Sequence, residues 1–147
     1  MKVRDILKSK THSEVFTTDP NMLLSEAMAL LINKRISCLP VIGQSSKLDG
    51  IISDKDIFRC VHEHPADFGS HRVSSAMSTN LIVGIEDDDL DYVASLMTNN
   101  RIRHIPIVDH DKLVGLVSVG DIVKAQIEDM QVENRYLKQY ILGNYPG

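Results

Sequence analysis

Lys34-Arg-Ile-Ser-Cys-Leu-Pro-Val-Ile42 reads again as Asn100-Arg-Ile-Arg-His-Ile-Pro-Ile-Val108. Just downstream, Lys47-Leu-Asp-Gly-Ile-Ile-Ser-Asp-Lys-Asp-Ile57 returns as Lys112-Leu-Val-Gly-Leu-Val-Ser-Val-Gly-Asp-Ile122. The first block recurs 66 residues on (34 to 100) and the second 65 (47 to 112), so one loop residue is lost between them. Upstream, Leu24, Ala27, Met28 and Leu31 match Leu90, Val93, Ala94 and Met97 at the first block's offset. Chance does not give three ordered blocks. The chain is a tandem repeat with a unit of roughly 60 residues.

Leu24, Ala27, Met28 and Leu31, like their copies, have the i, i+3, i+4, i+7 spacing that gives a helix one apolar face. Asp19-Pro20-Asn21 and Asp87-Asp88-Asp89 precede these helices. They are expected to supply N-cap oxygens and negative charge for the helix dipole. Leu39-Pro-Val-Ile42 and Ile105-Pro-Ile-Val108 read as short strands, each with a proline near its start, where a missing ladder donor is tolerated. Gly43-Gln-Ser-Ser46 and Asp109-His-Asp111 read as hairpin loops into strands at 48–52 and 113–117. A second helix begins near Asp54 and again near Val119, and short leading strands are expected at 16–18 and 81–85. The fold class is mixed α+β, two β-α-β-β-α repeats followed by a helical extension. The repeats take residues 1–64 and 73–127, a connector carrying Pro65 and Gly69 takes 65–72, and the tail takes 128–147.

The 147 residues suit one domain or two small halves sharing a core. At 43% apolar and 24% charged residues the chain is expected to be an ordinary soluble globular protein and not a disordered one. A net charge of −4 argues against a general nucleic-acid binder, which needs a basic surface to neutralise phosphates. Cys38 and Cys60 sit in apolar contexts and are too few for a disulfide framework. They read as small core residues. No apolar signal region opens the chain, and the longest apolar run, Ala27-Met-Ala-Leu-Leu-Ile32, is far too short to span a bilayer. A cytoplasmic location without membrane attachment is therefore expected.

The repeated segments resemble the tandem cystathionine-β-synthase-type (CBS) domain pair, the Bateman module, in its stand-alone prokaryotic form. Two Arg-Ile-x-x-(Leu/Ile)-Pro segments carry the resemblance. So do two Gly-h-h-Ser-x-x-Asp segments with h apolar, Gly50-Ile-Ile-Ser-Asp-Lys-Asp56 and Gly115-Leu-Val-Ser-Val-Gly-Asp121. It runs from about residue 3 to 127 and leaves no room in this chain for a catalytic domain. The resemblance implies two repeats packed pseudo-symmetrically through their sheets, with two clefts between them. It also implies a non-enzymatic sensor that binds an adenosine-containing ligand (AMP, ADP, ATP, NAD or S-adenosylmethionine) and signals to a regulated partner protein. By the same resemblance, Asp56 and Asp121 hold ribose hydroxyls, and Ser53 and Ser118 contact ribose or phosphate. Ser37-Cys38-Leu39 and Arg103-His104-Ile105 line the adenine and phosphate region, with Thr17 or Thr18 reaching in from the leading strand of the other repeat. Pro106, Gly115 and Val117 in one repeat, and Pro40 and Ile52 in the other, complete the candidate lining.

Elementary chemistry agrees in part. A carboxylate accepts two hydrogen bonds from a cis-diol, as acidic residues do on ribose elsewhere. The free N–H groups at a helix start favour phosphate, and both Ser-x-x-Asp segments open a helix. Arg101, Arg103 and His104 add cations beside one cleft, where an Arg fork suits phosphate. Lys55 offers a looser cation beside the other. The plainer reading of Ser-x-x-Asp is a capping box, although that motif proper has Glu or Gln in the last place. The expected principal site joins Ser118, Asp121, Arg103 and His104, with Thr17 or Thr18 across from them. Ser53, Lys55 and Asp56 form either a second site or a vestigial one.

The tail reads as one long helix over 121–142, ended by Gly143. Ile127, Met130, Asn134, Leu137 and Ile141 follow one another at steps of 3, 4, 3 and 4, the pattern of a coiled-coil seam, with Asn134 at a pairing position. A homodimer contact is expected there, the alternative being a helix packed on its own domain. Cys60-Val-His-Glu-His64 invites a metal reading, but no second Cys/His cluster at zinc spacing accompanies it, and no metal is expected. No phosphate-loop, nucleophile-elbow or His-Glu-x-x-His motif occurs. Two rivals to the sensor stand at this point: a ligand-independent assembly module, and an enzyme or metal protein built on Cys60, His62 and His64.

Overall fold

The computed structural model describes residues 1–10 and 15–143. In order these form α1 (Val3–Ser9), α2 (Leu24–Lys34), β1 (Cys38–Ile42), β2 (Leu48–Ser53) and α3 (Asp54–Glu63). A short 3-10 turn (Phe68–Ser70) follows, then α4 (Val73–Ala76), α5 (Leu90–Asn100), β3 (His104–Asp109), β4 (Lys112–Ser118) and α6 (Val119–Ile141).

Each repeat is built on an antiparallel hairpin, β1 with β2 and β3 with β4. Leu39 faces Ile52 and Pro40 faces Ile51, while in the copy Ile105 faces Val117 and Pro106 faces Leu116. Both hairpins slip register at the same place, after Val41 and after Ile107. The leading strands shrink to a single parallel bridge each, Thr18 to Val41 and Gly84 to Ile107. The reason is local. The chain turns away directly after the bridging residue, at Pro20-Asn21 and at Glu86-Asp87, so only one residue lies along the hairpin edge.

The apolar helix faces behave as their spacing requires. Leu24, Ala27 and Leu31 of α2 are buried, as are Leu90, Val93 and Met97 of α5. Both helices end on an arginine in the left-handed conformation, Arg35 at φ 56° and Arg101 at φ 54°. The next residue closes the turn, Ile36 N–H donating to Leu31 O and Ile102 N–H to Met97 O, as in a Schellman ending. The repeated Arg-Ile dipeptide is therefore a helix stop.

The expected aspartate N-caps are not made. Leu23 and Asp89 occupy the N-cap positions, and neither caps through its side chain. Instead Leu24 N–H donates to His71 O at 2.8 Å, and Leu90 N–H donates to Met1 O at 3.0 Å. Those acceptors lie just ahead of α4 and α1, and this reveals an exchange. Val3 and Ile6 of α1 are buried in the core of the second repeat with Val93, Met97, Ile105 and Ile122. Val73 of α4 is buried in the core of the first repeat with Leu24, Leu39, Ile52 and Ile57. Each sequence half lends its leading helix to the other half's core. The aspartates serve this junction instead: Asp87 and Asp89 pair with Arg4 at 2.7 Å and Lys2 at 3.0 Å, and Asp88 accepts from Ile85 N–H.

The exchange also explains the glycine in each Gly-h-h-Ser segment. A Cβ on Gly50 would lie 2.7 Å from Ser78 O, just beyond α4, and one on Gly115 would lie 2.7 Å from the Leu7 side chain of α1. Cys38 and Cys60 are free and buried, as read from their contexts. The second helix of the second repeat begins at Val119, as expected, and runs on without a break as the tail, with Gly143 following it at φ 71°. Its last buried residue is Ala125. Ile127, Met130, Leu137 and Ile141 are all exposed, so among the described residues these four positions of the tail are not buried against its own domain. No helix among the described residues is long and apolar enough to cross a membrane.

Candidate binding clefts between the repeats

Both Ser-x-x-Asp segments fold as reciprocal capping boxes. Ser53 Oγ accepts from Asp56 N–H at 3.3 Å while Asp56 Oδ2 accepts from Ser53 N–H at 2.8 Å. Ser118 Oγ accepts from Asp121 N–H at 3.0 Å while Asp121 Oδ2 accepts from Ser118 N–H at 2.9 Å. Aspartate thus does the work that glutamate does in the usual motif. The helix after each box is tied to the strand entry of its own repeat, Asp54 N–H to Ser37 O and Val119 N–H to Arg103 O, both at 2.9 Å. Ser37 and His104 then meet across the two repeats, Oγ to Nε2 at 3.5 Å. A cleft opens on either side of this contact.

The larger cleft, about 940 Å³, is lined by Lys10, Phe16, Lys34, Arg35, Ser37, Cys38, His104, Leu116 and Ser118, among others. Lys34 Nζ stands 4.9 Å from the centre of the Phe16 ring. Lys10 Nζ donates to Leu116 O at 2.8 Å and to Asp121 Oδ2 at 3.0 Å. The smaller cleft, about 340 Å³, is lined by Ser53, Lys55, Asp56 and Arg59 from the first repeat. Ser78, Asn80, Arg101, Arg103, His104 and Pro106 face them. Asp56 is 6% exposed. Its Oδ2 also accepts from Ser53 Oγ–H at 3.0 Å, and its Oδ1 lies 3.4 Å from the Arg59 guanidinium. Arg103 crosses between the repeats to Asp54, 3.2 Å away.

The structure does not bring together the principal set expected from the sequence. Ser118 lines the larger cleft and His104 borders both, while Asp121 lines a separate pocket with Ser9, Lys10 and Glu128 and is tied to the larger cleft through Lys10. Arg101 and Arg103 instead face Ser53, Lys55 and Asp56 across the smaller one. Arg103 lies in the bend ahead of β3, whereas His104 is the first residue of the strand. His104 pairs with Ser118, and the Arg103 side chain beside it reaches across to Asp54 of the other repeat.

Thr18 is 4% exposed and its hydroxyl lies 2.9 Å from Met22 Sδ, turned into the core and away from either cleft. Thr17 lines a shallow depression beside Lys112 and Gly115. Leu39, Ile52, Ile105 and Val117 are fully buried core residues behind the clefts, with Pro40 buried beside them. Gly115 serves α1 packing. Cys38, Pro106 and Lys55 do line a cleft.

Sequence reasoning missed Lys10, Phe16, Lys34, Arg35 and Arg59. Lys10 was findable through a further repeated block, Lys2-Val-Arg-Asp-Ile-Leu7 against Arg72-Val-Ser-Ser-Ala-Met77, which marks the exchanged helices.

Burial shapes the titration of this junction. The Cys38 thiol is pushed up to about 12, by burial first and by Asp54 second, so it stays protonated. Burial, and then the Arg103 charge, hold His104 below its ordinary 6.5; Asp121 and Asp54 oppose and Lys10 reinforces. The folded protein thus favours neutral imidazole, while the unfolded chain takes up its proton first as pH falls. That contribution to stability is intact above 6.5 and is lost as pH falls from there through the lowered folded value. Chemical denaturation at about pH 7.5 and about pH 5.5 should show a smaller acid loss for His104→Gln than for wild type. Equal losses would mean that His104 is unperturbed.

The model of the CBS domain matches residues 3–63 and again 73–128. The chain belongs to the CBS-domain family. The CBS domain-containing protein YhcV of Bacillus subtilis is 33% identical over 123 residues, 84% of this chain and 86% of that protein. Among solved structures, the CBS-domain containing protein ATU1752 from Agrobacterium tumefaciens superposes with a TM-score of 0.79 at 30% identity, covering 85% of this chain and 92% of that one. The CBS domain pair of protein MJ0100, solved in complex with 5'-methylthioadenosine and S-adenosyl-L-methionine, gives 0.75 at 31% identity, covering 88% and 98%. As in those CBS pairs, this chain carries two tandem repeats of mixed helix and strand.

Proposed function

We propose that this CBS pair is a regulatory module that binds an adenosine-containing ligand between its repeats and passes that state to a partner protein. The observation that carries the reading is the pair of Ser-x-x-Asp boxes beside clefts that also hold Arg and Lys side chains. Asp56 and Asp121 are the ribose acceptors, through Oδ1, because Oδ2 is held by each box. Lys10, Lys34 and Arg35 in one cleft, and Lys55, Arg59, Arg101 and Arg103 in the other, supply charge for phosphate or carboxylate. The ligands held by the similar MJ0100 pair support an adenosyl group in particular.

A thermal-shift panel with AMP, ADP, ATP, NAD and S-adenosylmethionine tests this on wild type, Asp121→Ala and Asp56→Ala. A ligand at a hundred times its Kd should add ~2.7 kcal/mol to the stability of the folded state. Asp121→Ala should lose the larger cleft's share and Asp56→Ala the smaller's. A folded protein that no adenosine compound shifts would leave the ligand-independent assembly module as the reading.

The module is also read as a homodimer joined along α6. Ile127, Met130, Leu137 and Ile141 project from it, 48%, 62%, 48% and 78% exposed, with Asn134 at the seam's polar position. A chain truncated after Ala125 is expected to sediment as a monomer, and a surviving dimer would place the contact elsewhere.

A further inference from the structure

Away from the clefts, the fold gathers His64, Asp67 and His71 where α3 gives way to the 3-10 turn. One ligand atom from each lies within 4.8 Å of the other two. The sequence suggested Cys60, His62 and His64 for such a role. Cys60, at 7% exposure, is committed to the core, and His62 lies outside the cluster. Folding supplies Asp67 and His71 in their place. The geometry points to a site for a late first-row divalent metal ion of the zinc type, held by His64, Asp67 and His71, with water completing the coordination.

Three independent features favour it. The backbone that carries the ligands is fixed. His64 N–H closes the end of α3 on Cys60 O at 2.8 Å, and His71 N–H donates to Phe68 O at 3.1 Å while its carbonyl accepts from Leu24 at 2.8 Å. Asp67 occupies the N-cap position of the 3-10 turn, yet its carboxylate caps nothing there. It turns to His71 instead, Oδ2 to Nε2 at 3.4 Å. That is beyond an ordinary N–H···O bond of about 2.7–3.2 Å. It matches the edge of about 3.3–3.4 Å expected between ligands of a tetrahedral ion with bonds of about 2.0–2.1 Å. Finally, the His64 and His71 rings lie 4.4 Å apart between centres at an angle of 36°, so the two imidazoles are held side by side.

The donor set selects the ion. Two imidazoles and one carboxylate suit zinc, cobalt, nickel or copper, whereas magnesium and calcium prefer all-oxygen shells. A bound ion would clip the end of α3 to the residue whose carbonyl caps α2, beside the exchanged α4.

Cobalt(II) titrated into the metal-stripped full-length protein, followed by visible absorption and then displaced with zinc(II), reads the site directly. One saturable equivalent is expected, abolished by zinc. His71→Ala and Asp67→Asn should each weaken it by about a hundredfold or more, beyond the cost of losing an outer-shell partner. His62→Ala should bind like wild type. Asp67 is exposed, so its variant carries the test even where His71→Ala loses stability. Absence of saturable binding, binding unweakened in Asp67→Asn, or a loss in His62→Ala equal to that in His71→Ala would each overturn the site.

Discussion

Removing residues 1–9 is expected to open the core of the second repeat and leave that of the first in place. The deleted segment stands at the start of the first sequence half, but Val3 at 0% and Ile6 at 4% exposure are seated among α5, β3 and β4. Burying side chains of this size is worth about 1.5–3 kcal/mol each, so the two together contribute about 3–6 kcal/mol. Net stabilities of natural domains are only about 5–15 kcal/mol. The exposed Lys2–Asp89 and Arg4–Asp87 pairs add little. Leu90 N–H also loses its acceptor, the carbonyl of Met1. Hydrogen exchange should therefore accelerate in α5, β3 and β4 well before α2, β1 and β2. Ile6→Ala should give the same map at about 2–5 kcal/mol. Acceleration confined to the first hairpin, or spread evenly over both, would refute the exchange of leading helices.

That prediction marks where legibility stops. The hairpins, helix faces and capping boxes could be read because their causes are local. Period-3.6 spacing buried Leu24, Ala27 and Leu31, and the Ser-x-x-Asp spacing alone brings Oγ to the third amide. The aspartates ahead of α2 and α5 were misread as caps for the same reason. From sequence, an Asp before a helix is a cap. In the fold, carbonyls of His71 and Met1 reach those amides first, from segments 47 and 89 residues away (24 to 71 and 1 to 90). The leading strands failed similarly, since only a long-range edge decides whether one residue or three will pair.

The site followed the same division. Which residue types flank a cleft was visible in the motifs, while which cleft each one enters was not. Arg103 and His104 are adjacent in sequence, yet one reaches Asp54 of the first repeat while the other sits against Ser118 of the second. Lys10 carries no mark of its own in Ser9-Lys10-Thr11, and only the repeat of the leading helix points to it. It reaches Asp121 only because α1 is docked on the second repeat.

Crosswise assembly gives the proposed binding its sharpest expected result. Arg103→Ala and Ser53→Ala, from different repeats, should be strongly coupled in their effect on ligand affinity. Arg103→Ala and Ser118→Ala, from the same repeat, should act on separate clefts. Hydrogen bonds to charged groups are worth about 1.5–3 kcal/mol. Loss of Arg103 should therefore weaken the smaller cleft on the order of tenfold to a hundredfold. It should leave the larger cleft, with Lys10, Lys34 and Arg35, near its wild-type affinity. Removing Ser53 as well should cost less than the sum of the single changes, because both groups face one ligand. Each single variant must first be shown to melt close to wild type without ligand, since Ser53 also caps α3. Calorimetric titration resolves the two clefts when their affinities differ, and Asp121→Ala isolates the smaller one when they do not. Strong coupling between Arg103 and Ser118, with none between Arg103 and Ser53, would restore the same-repeat site that adjacency in the sequence suggests. The reach of Arg103 across to Asp54, into the cleft that Ser53 lines, predicts the opposite.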